Sequence, residues 1–444
     1  MLTILIFLFT VVFIVVTCTR FKVHPFLSLL AAAFLFGLLT RMPLSKIVDT
    51  VNAGFGGTIG NIGIIIVAGI IIGAFLENSG GAQTLANTVL KTVGKKRVHT
   101  AMGVIGFIVS IPVFADSGFV ILSSLNRALT KKAKLSLAGT AIALSLGLTA
   151  THTMVPPTPG PIAAAGIIGA DLGMVILIGL LTSIFGLIVS ILFAKYIGKK
   201  IYVDPEAGQE VTAETQTVKY KPSFIKSIMP ILLPIILIVL RSFAEYPTHP
   251  FGDGQFRNIL SFLGHPVTAL FIGVIISFLL PEKFDKMMMS TSGWVGDALK
   301  SAAIIILITG AGGAFGKVLQ GSDLAKLLGD HLQATGLGLW LPFLIAFTIK
   351  TAQGSSTVAI ITAASIVAPL LHVMGFDTEI SKAMVVIAIG AGSAVVSHAN
   401  DSFFWVVTQM SSMDINQGYR AQTLGTAILG FSSMIFLTVL NIFF

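Results

Sequence analysis

The sequence predicts an all-α polytopic membrane protein built from two inverted repeats, and three observations support this fold class. Of the 444 residues, 55% are hydrophobic and only 11% are charged, against about 25% charged in an ordinary soluble domain. Apolar runs near the roughly 20 residues that cross a bilayer recur along the chain. Polar or proline-rich breaks interrupt these runs in the same order in each half of the chain.

Composition narrows the class of protein further. The net charge is +9, and the basic residues lie in short loops. This placement is typical of residues that set the orientation of membrane helices and not of a surface that binds nucleic acid. Cys18 is the only cysteine, so the sequence offers neither an intrachain disulfide nor a Cys-based metal site. We expect no metal and no other cofactor. The first apolar run has no basic residue before it and no clear cleavage site, which indicates a retained helix rather than a secretory signal.

The first repeat is predicted to cover residues 1–194. Its elements are three crossings, a re-entrant hairpin, a broken crossing and a final crossing, at residues 2–19, 25–40, 53–76, 98–126, 135–161 and 174–194. The hairpin is broken around Asp116, and the basic loops that flank it near Lys95 and Lys132 predict that both its ends face the cytoplasm. Four prolines between Pro156 and Pro161 break the later crossing, because proline removes an N–H donor and clashes with the preceding turn.

The second repeat is predicted to cover residues 227–444, after a polar linker at residues 195–226. Its crossings, hairpin, broken crossing and final crossing follow the same order, at residues 228–240, 260–280, 302–315, 339–371, 383–402 and 423–443. The hairpin is flanked by His331 and His372 instead of lysines. Five crossings per half is an odd number, so the halves must be inverted, an arrangement typical of secondary transporters.

The polar breaks are predicted to converge near the membrane midplane and form a binding site. An ionisable residue at that depth, such as Lys350, is a functional candidate by default. Helices that begin at the breaks direct positive dipole ends inward, which suits a carboxylate. The candidate binding residues are Ser117, Gly118, His152, Lys350, Gln353, Gly354, Ser355, Ser356, Thr357, His398 and Asn400. The candidate proton carriers are Asp116 and Asp401.

Purely structural roles remain open for the titratable candidates. Lys350 could extend its ammonium to an interface, and Asp116 could cap the helix that begins near Ser117. His152 could be a packed and hydrogen-bonded side chain. Asp401 could balance Lys350 or cap its own helix.

Several motifs resemble the gluconate permease family of bacterial inner-membrane symporters. The motifs span both halves and are Glu77-Asn-Ser-Gly-Gly-Ala-Gln83, Ile111-Pro-Val-Phe-Ala-Asp-Ser-Gly-Phe-Val120, residues 152–161, Gly312-Gly-Ala-Phe-Gly316, Ala352-Gln-Gly-Ser-Ser-Thr-Val358 and Ser397-His-Ala-Asn-Asp-Ser402. The resemblance implies proton-coupled uptake of small hydroxy acids such as gluconate and related sugar acids and, in some members, D-serine.

The chain departs from the usual family pattern at two points in the expected pocket. Ala115-Asp116 stands where the family usually has an aromatic–acidic pair, and Lys350 stands where it usually has arginine. A smaller acid such as glycerate therefore fits the sequence as well as gluconate does.

The leading functional interpretation is a secondary symporter that imports a small hydroxycarboxylate with protons across the bacterial inner membrane. A sodium-coupled carboxylate carrier is the alternative, because unwound carbonyls and hydroxyls also suit Na⁺. An intramembrane hydrolase using His152, His398 and Asp401 is disfavoured, since the chain lacks His-x-x-x-His and Gly-x-Ser-x-Gly motifs. A channel is also disfavoured, because a channel does not require two inverted repeats. We expect membrane lipid and the solute as partners and no nucleic acid. Whether the chain forms a homodimer is left open by the sequence.

Overall fold

The computed structural model describes residues 2–93, 97–206, 221–245, 251–322 and 337–444, in which the regular secondary structure is helical. No strand occurs in any of them. Two of the predicted hairpin flanks, Lys95 and His331, lie outside the described residues, as do residues 207–220 of the predicted linker.

Nine α-helices form the first half of the chain. They are α1 (Leu2–Thr19), α2 (Pro25–Leu39), α3 (Leu44–Asn78), α4 (Gly81–Val93), α5 (Val98–Val109), α6 (Ala115–Ala133), α7 (Leu137–Met154), α8 (Pro159–Ile168) and α9 (Leu172–Lys200). The predicted hairpin corresponds to α5 and α6, and the predicted broken crossing corresponds to α7 and α8.

The described residues of the second half form ten further α-helices. They are α10 (Phe224–Ala244), α11 (Gln255–Leu263), α12 (Pro266–Ser277), α13 (Trp294–Gln320), α14 (Trp340–Gln353), α15 (Ser356–Val367), α16 (Glu379–Ala394), α17 (Ser402–Met410), α18 (Ile415–Gly418) and α19 (Leu424–Leu440). The second hairpin corresponds to α14 and α15, and the second broken crossing corresponds to α16 and α17.

Polar residues explain where several helices begin. The Asp171 carboxylate accepts a hydrogen bond from Met174 N at 2.8 Å and starts α9. Ser223 and Thr378 cap α10 and α16 in the same way. Side-chain acceptors of this kind satisfy N–H groups that have no partner in the first helical turn.

The described chain is a multi-pass membrane protein by the length and character of its helices. Six helical segments are long and apolar enough to cross a membrane, or seven if α11 and α12 count as one bent span. Large apolar side chains are exposed along outward faces, for example Leu181, Ile188 and Leu192 on α9, as expected where helices meet lipid. α2 has 15 residues and reaches only about 22 Å, short of a hydrocarbon core of about 30 Å. The expectation of five crossings per half therefore stays a prediction.

The packing of the helices brings the two halves together. α3 packs along α13, α9 along α19, and the second helix of each hairpin packs against a helix of the other half, α6 against α17 and α15 against α8. α7 lies at the centre, and nearly all of its side chains are buried. The ends of the broken helices consequently meet in the interior of the protein.

Three details differ from the expectations. Residues 195–200 belong to α9 and not to the linker. The chain after α9 is bound to the start of α7, because Ser136 Oγ donates a hydrogen bond to Ile201 O and accepts one from Val203 N. The predicted crossing at residues 260–280 bends by 62° between α11 and α12. α4 was not predicted, because it is amphipathic and too short to register as an apolar span.

Candidate functional site

A cavity of about 280 Å³ lies where the broken helices meet. Both hairpins and both broken crossings contribute to its wall, together with the start of α19. The lining residues are Phe114, Ala115, Asp116, Thr149, His152, Lys350, Gln353, Gly354, Ser355, Ser356, Thr357, Ala394, Ser397, Asn400, Asp401, Ser402, Phe403 and Thr426.

The tip of the second hairpin depends on a glycine. Gly354 ends α14 with φ +88°, a left-handed conformation that costs side-chain-bearing residues roughly 1–2 kcal/mol. A Cβ at this position would also collide with the Asn400 carbonyl. Ser355 then starts α15, and its hydroxyl accepts a hydrogen bond from Val358 N at 3.3 Å. The reversal therefore needs a glycine both for its backbone conformation and for its close approach to the second broken crossing.

A buried ion pair joins this hairpin to the second broken crossing. Lys350 is 2% exposed and its Nζ lies 2.7 Å from Asp401 Oδ2. The same ammonium donates to the Gly354 carbonyl. Ser397 Oγ donates to Asp401 Oδ2 at 2.6 Å, and Phe403 N donates to Asp401 Oδ1 at 3.0 Å. Both carboxylate oxygens of Asp401 are therefore occupied, and the carboxylate caps α17 while it balances Lys350.

Two more side chains hold the hairpin tip to the same break. Asn400 Nδ2 donates to the carbonyls of Thr351 and Ala352 at 2.9 and 3.2 Å. His398 Nε2 lies 2.9 Å from the Thr351 carbonyl. The last turn of α14 is thus fixed by residues that follow it by almost 50 positions.

Three polar atoms at the cavity wall have no hydrogen-bond partner within the described part of the chain. They are Asp116 Oδ1, His152 Nδ1 and Gln353 Nε2, all buried. Asp116 lies on the first hairpin, His152 on the first broken crossing and Gln353 on the second hairpin. Buried polar groups are normally satisfied, so these atoms are suited to contact a polar solute or its hydration water.

The cavity also receives the amino ends of three helices. The first turns of α6, α15 and α17 supply lining residues, among them Asp116, Ser356 and Ser402. Free N–H groups and the positive end of the helix dipole favour an anion at such points. Hydroxyls of Thr149, Ser356, Thr357 and Thr426 line the remaining wall. The site can therefore accommodate a solute that carries one carboxylate and several hydroxyl groups.

Ten of the thirteen candidate residues from the sequence line this cavity, and three lie elsewhere. Ser117 lines a different cavity, next to α3 and α13. Gly118 is buried, and a Cβ there would contact the Leu148 side chain. His398 contacts the Thr351 carbonyl and does not line the cavity. Ser117 and Gly118 follow Asp116 in a helix, where each residue is rotated by about 100° from the previous one, so the three cannot share one direction.

Four further polar residues line the cavity although they are not among the thirteen candidates: Thr149, Ser397, Ser402 and Thr426. Ser397 and Ser402 belong to the motif of the second break, so the motif itself could have indicated them. Thr149 and Thr426 lie within apolar helices and carried no such signal. Across the described ranges no group of three His, Cys, Asp or Glu side chains could hold a metal ion.

Comparison with known proteins places the chain in a family. The sequence model of the GntP family permeases matches residues 2–443. The chain is 35% identical over 444 residues to the gluconate permease of Pseudomonas aeruginosa, covering 98% of this chain and 96% of that protein. It is 34% identical over 424 residues to the D-serine transporter DsdX of Escherichia coli K12, covering 95% of this chain and 94% of that protein.

A third relative and a solved structure bear on location and fold. The inner membrane permease YgbN of Escherichia coli K12 is 34% identical over 441 residues, covering 96% of this chain and 95% of that protein. The structure of Neisseria gonorrhoeae MtrF, described as illuminating a class of antimetabolite efflux pumps, has a TM-score of 0.65 and 16% identity, and the match covers 89% of this chain and 83% of MtrF. At this identity the likeness concerns the fold alone. The resemblance inferred from the motifs is confirmed: the chain belongs to the GntP permease family and is a transporter of the bacterial inner membrane, not an enzyme.

Proposed function

We propose that this permease is a symporter that imports a small hydroxycarboxylate together with protons. The observation that carries the proposal is the central cavity, where one lysine, two aspartates and several hydroxyls meet three helix amino ends. Gluconate and related sugar acids, or the smaller glycerate, combine one carboxylate with hydroxyl groups and match these features. Two of the named relatives are a gluconate permease and a D-serine transporter, and gluconate and D-serine both combine a carboxylate with at least one hydroxyl group.

In this proposal the carboxylate of the solute binds near Lys350 and the amino ends of α15 and α17. The hydroxyls of Ser356 and Thr357 and the free Gln353 Nε2 contact the hydroxyl groups of the solute. Lys350 already donates to Asp401 and to the Gly354 carbonyl, which leaves the third donor of its ammonium for the solute. His152 Nδ1 is available from the opposite wall.

Asp116 is the proposed proton carrier because it decides the net charge of the cavity. Lys350 and Asp401 form a pair whose charges cancel, so an ionised Asp116 leaves one unbalanced negative charge beside the binding region. Protonation of Asp116 removes that charge before an anionic solute enters. Moving a monovalent anion into a negative interior costs about 2.3 kcal/mol per 100 mV, and one accompanying proton cancels this electrical cost.

The two halves are proposed to be inverted repeats covering residues 1–194 and 227–444, with re-entrant hairpins that meet at the cavity. Corresponding helices pack in pairs, α3 with α13 and α9 with α19, which supports this arrangement. Alternating access would then follow from movement of one repeat against the other around a fixed site.

The sodium-coupled alternative has weaker support at the second hairpin. Three carbonyls at its tip already accept side-chain hydrogen bonds, those of Thr351 and Ala352 from Asn400 and that of Gly354 from Lys350. Coordination at the first hairpin would have to use the Asp116 carboxylate, which would then act as a Na⁺ ligand instead of a proton carrier.

The test is uptake by purified protein in proteoliposomes across a panel of gluconate, related sugar acids, glycerate and D-serine. Proton and Na⁺ gradients are varied separately, and counterflow of labelled solute is measured in parallel. We expect a hydroxy acid to accumulate under a proton gradient without Na⁺. Accumulation that requires a Na⁺ gradient and does not depend on ΔpH would support the sodium-coupled alternative. Uptake without counterflow would contradict a carrier mechanism.

A further inference from the structure

A second polar region lies on one face of α3, beside the breaks of the first half. Gly69, Gly73 and Glu77 follow each other at intervals of four residues and therefore lie on the same face of the helix. A Cβ on Gly69 would meet the Pro157 carbonyl, and one on Gly73 would meet the Pro112 carbonyl. This face of α3 thus packs directly against the first broken crossing and the first hairpin, with Glu77 one turn further along.

Glu77 faces a separate cavity of about 240 Å³. Its side chain is half-buried, and Ser117 lines the same cavity. Ser117 is the residue after Asp116 in the first turn of α6, and Phe114 lines both this cavity and the central one. The first hairpin therefore supplies Asp116 to the central cavity and Ser117 to the cavity that Glu77 lines.

Within the described ranges, Asp297 is the one other charged residue that lines the cavity of Glu77. Asp297 on α13 lines the same cavity but lies at its exposed rim, where it pairs with Lys300 at 2.8 Å. Asp116 lines the central cavity and not this one. Glu77 is the only charged residue of α3 after Asp49, and a carboxylate at the carboxyl end of a helix gains nothing from the helix dipole. Among the described residues, neither capping nor an ion pair explains its presence.

We propose that Glu77 transfers the coupled proton between Asp116 and the aqueous phase at the carboxyl end of α3. In the release direction, protonated Asp116 gives its proton through the Ser117 hydroxyl and cavity water to the ionised Glu77. Asp116 becomes the anion, Glu77 becomes neutral, and Glu77 then loses the proton to bulk water. A cavity of this size with several polar groups has room for such water. Lys91 and Arg97 follow this end of α3, and the positive-inside tendency assigns it to the cytoplasm.

This inference rests on the proposed proton coupling, so its test separates the rate of proton transfer from the coupling itself. In proteoliposomes, Glu77→Gln should slow the initial rate of ΔpH-driven uptake by at least about tenfold, since a positioned proton-transfer group contributes that much or more. The final accumulation should match that of the unmutated protein, because a relay changes rates and not equilibria. Counterflow, which needs no net proton movement, should keep its rate and its half-saturating concentration.

Two further variants sharpen the test. Ser117→Ala should slow ΔpH-driven uptake in the same way without changing counterflow, whereas a residue that binds solute would change the half-saturating concentration. Asp49→Asn removes an exposed carboxylate at the other end of α3 and should leave both assays unchanged.

Three results would overturn the proposal. An unchanged ΔpH-driven rate in Glu77→Gln would mean that protons take another route. Equal slowing of counterflow would mean a structural role, and loss of the final accumulation would make Glu77 the carrier itself. Failure of the proposed function is visible separately, because the unmutated protein would then not respond to ΔpH.

Discussion

Lys350 and Asp401 are 51 residues apart in the sequence, yet Lys350 Nζ lies 2.7 Å from Asp401 Oδ2 in the interior of the protein. The pair joins the second hairpin to the second broken crossing, the two elements that form one side of the central cavity. Both side chains are almost fully buried. Removing one partner of such a pair leaves an uncompensated buried charge, which costs about 3–5 kcal/mol.

The first prediction concerns Lys350 as the partner of the solute carboxylate. Lys350→Gln should raise the half-saturating solute concentration severely and lower the unfolding temperature in detergent. Lys350→Arg should keep partial function, because the charge remains although the shape differs. The double variant Lys350→Gln/Asp401→Asn should regain much of the lost stability and still fail to bind solute. Unchanged affinity in a well-expressed Lys350→Gln protein would leave Lys350 with a structural role only.

The second prediction concerns the tip of the second hairpin. Gly354→Ala should abolish or strongly weaken solute binding, because the new Cβ would collide with the Asn400 carbonyl and force the tip away from the second break. Gly375→Ala is the matched control: Gly375 has φ +77°, and no atom lies within 4 Å of its added Cβ. It should show only the modest stability loss of a left-handed alanine, roughly 1–2 kcal/mol. Equal binding defects in both variants would show that backbone strain, not the close approach, is responsible.

The third prediction concerns topology. If the halves are inverted, single cysteines at Lys132 and His372 in a Cys18→Ser background should react with an impermeant thiol reagent from opposite sides of the membrane. Cysteines at Lys95 and His331 extend the same test to the other ends of the hairpins. Intact cells should label the positions near the histidines, and inside-out vesicles those near the lysines. Labelling of all four from one side would remove the inverted-repeat arrangement.

Local sequence patterns predicted the elements of this site well, since polar breaks inside apolar runs are conspicuous. Lys350, Asp116 and the break at Ser397-His-Ala-Asn-Asp-Ser402 were identified because their polarity conflicts with their surroundings. The hydrogen-bond and ion-pair partners of these residues were not predictable from the sequence. Lys350 bonds to Asp401 and Gly354, and Asn400 bonds to Thr351, through contacts that depend on the packing of distant segments.

Other features escaped prediction for reasons that lie in helix geometry. A polar residue next to a candidate need not share its direction, and Ser117 accordingly faces α3 while Asp116 faces the central cavity. Hydropathy alone also merges α11 and α12, because the break between them, Gly264 and His265, is too short to divide an apolar run of about 20 residues.

The choice between the two candidate carriers depends on their hydrogen bonds. Both oxygens of Asp401 are engaged, by Lys350 and Ser397 and by Phe403 N. Asp116 keeps one buried oxygen without a partner among the described residues. We therefore expect Asp401→Asn to lose stability and solute affinity together, as a structural and binding change would, and to impair counterflow as well as accumulation.

The most direct test of the central proposal is the pair of transport assays applied to Asp116→Asn. Asparagine reproduces the neutral state of the carrier permanently, so solute should still bind and the counterflow rate should remain close to that of the unmutated protein. Accumulation against a gradient under ΔpH should be lost, because no proton can be taken up or released at this position. If Asp116→Asn concentrates solute normally under ΔpH, Asp116 is not the proton carrier and the proposed coupling at the first hairpin is wrong.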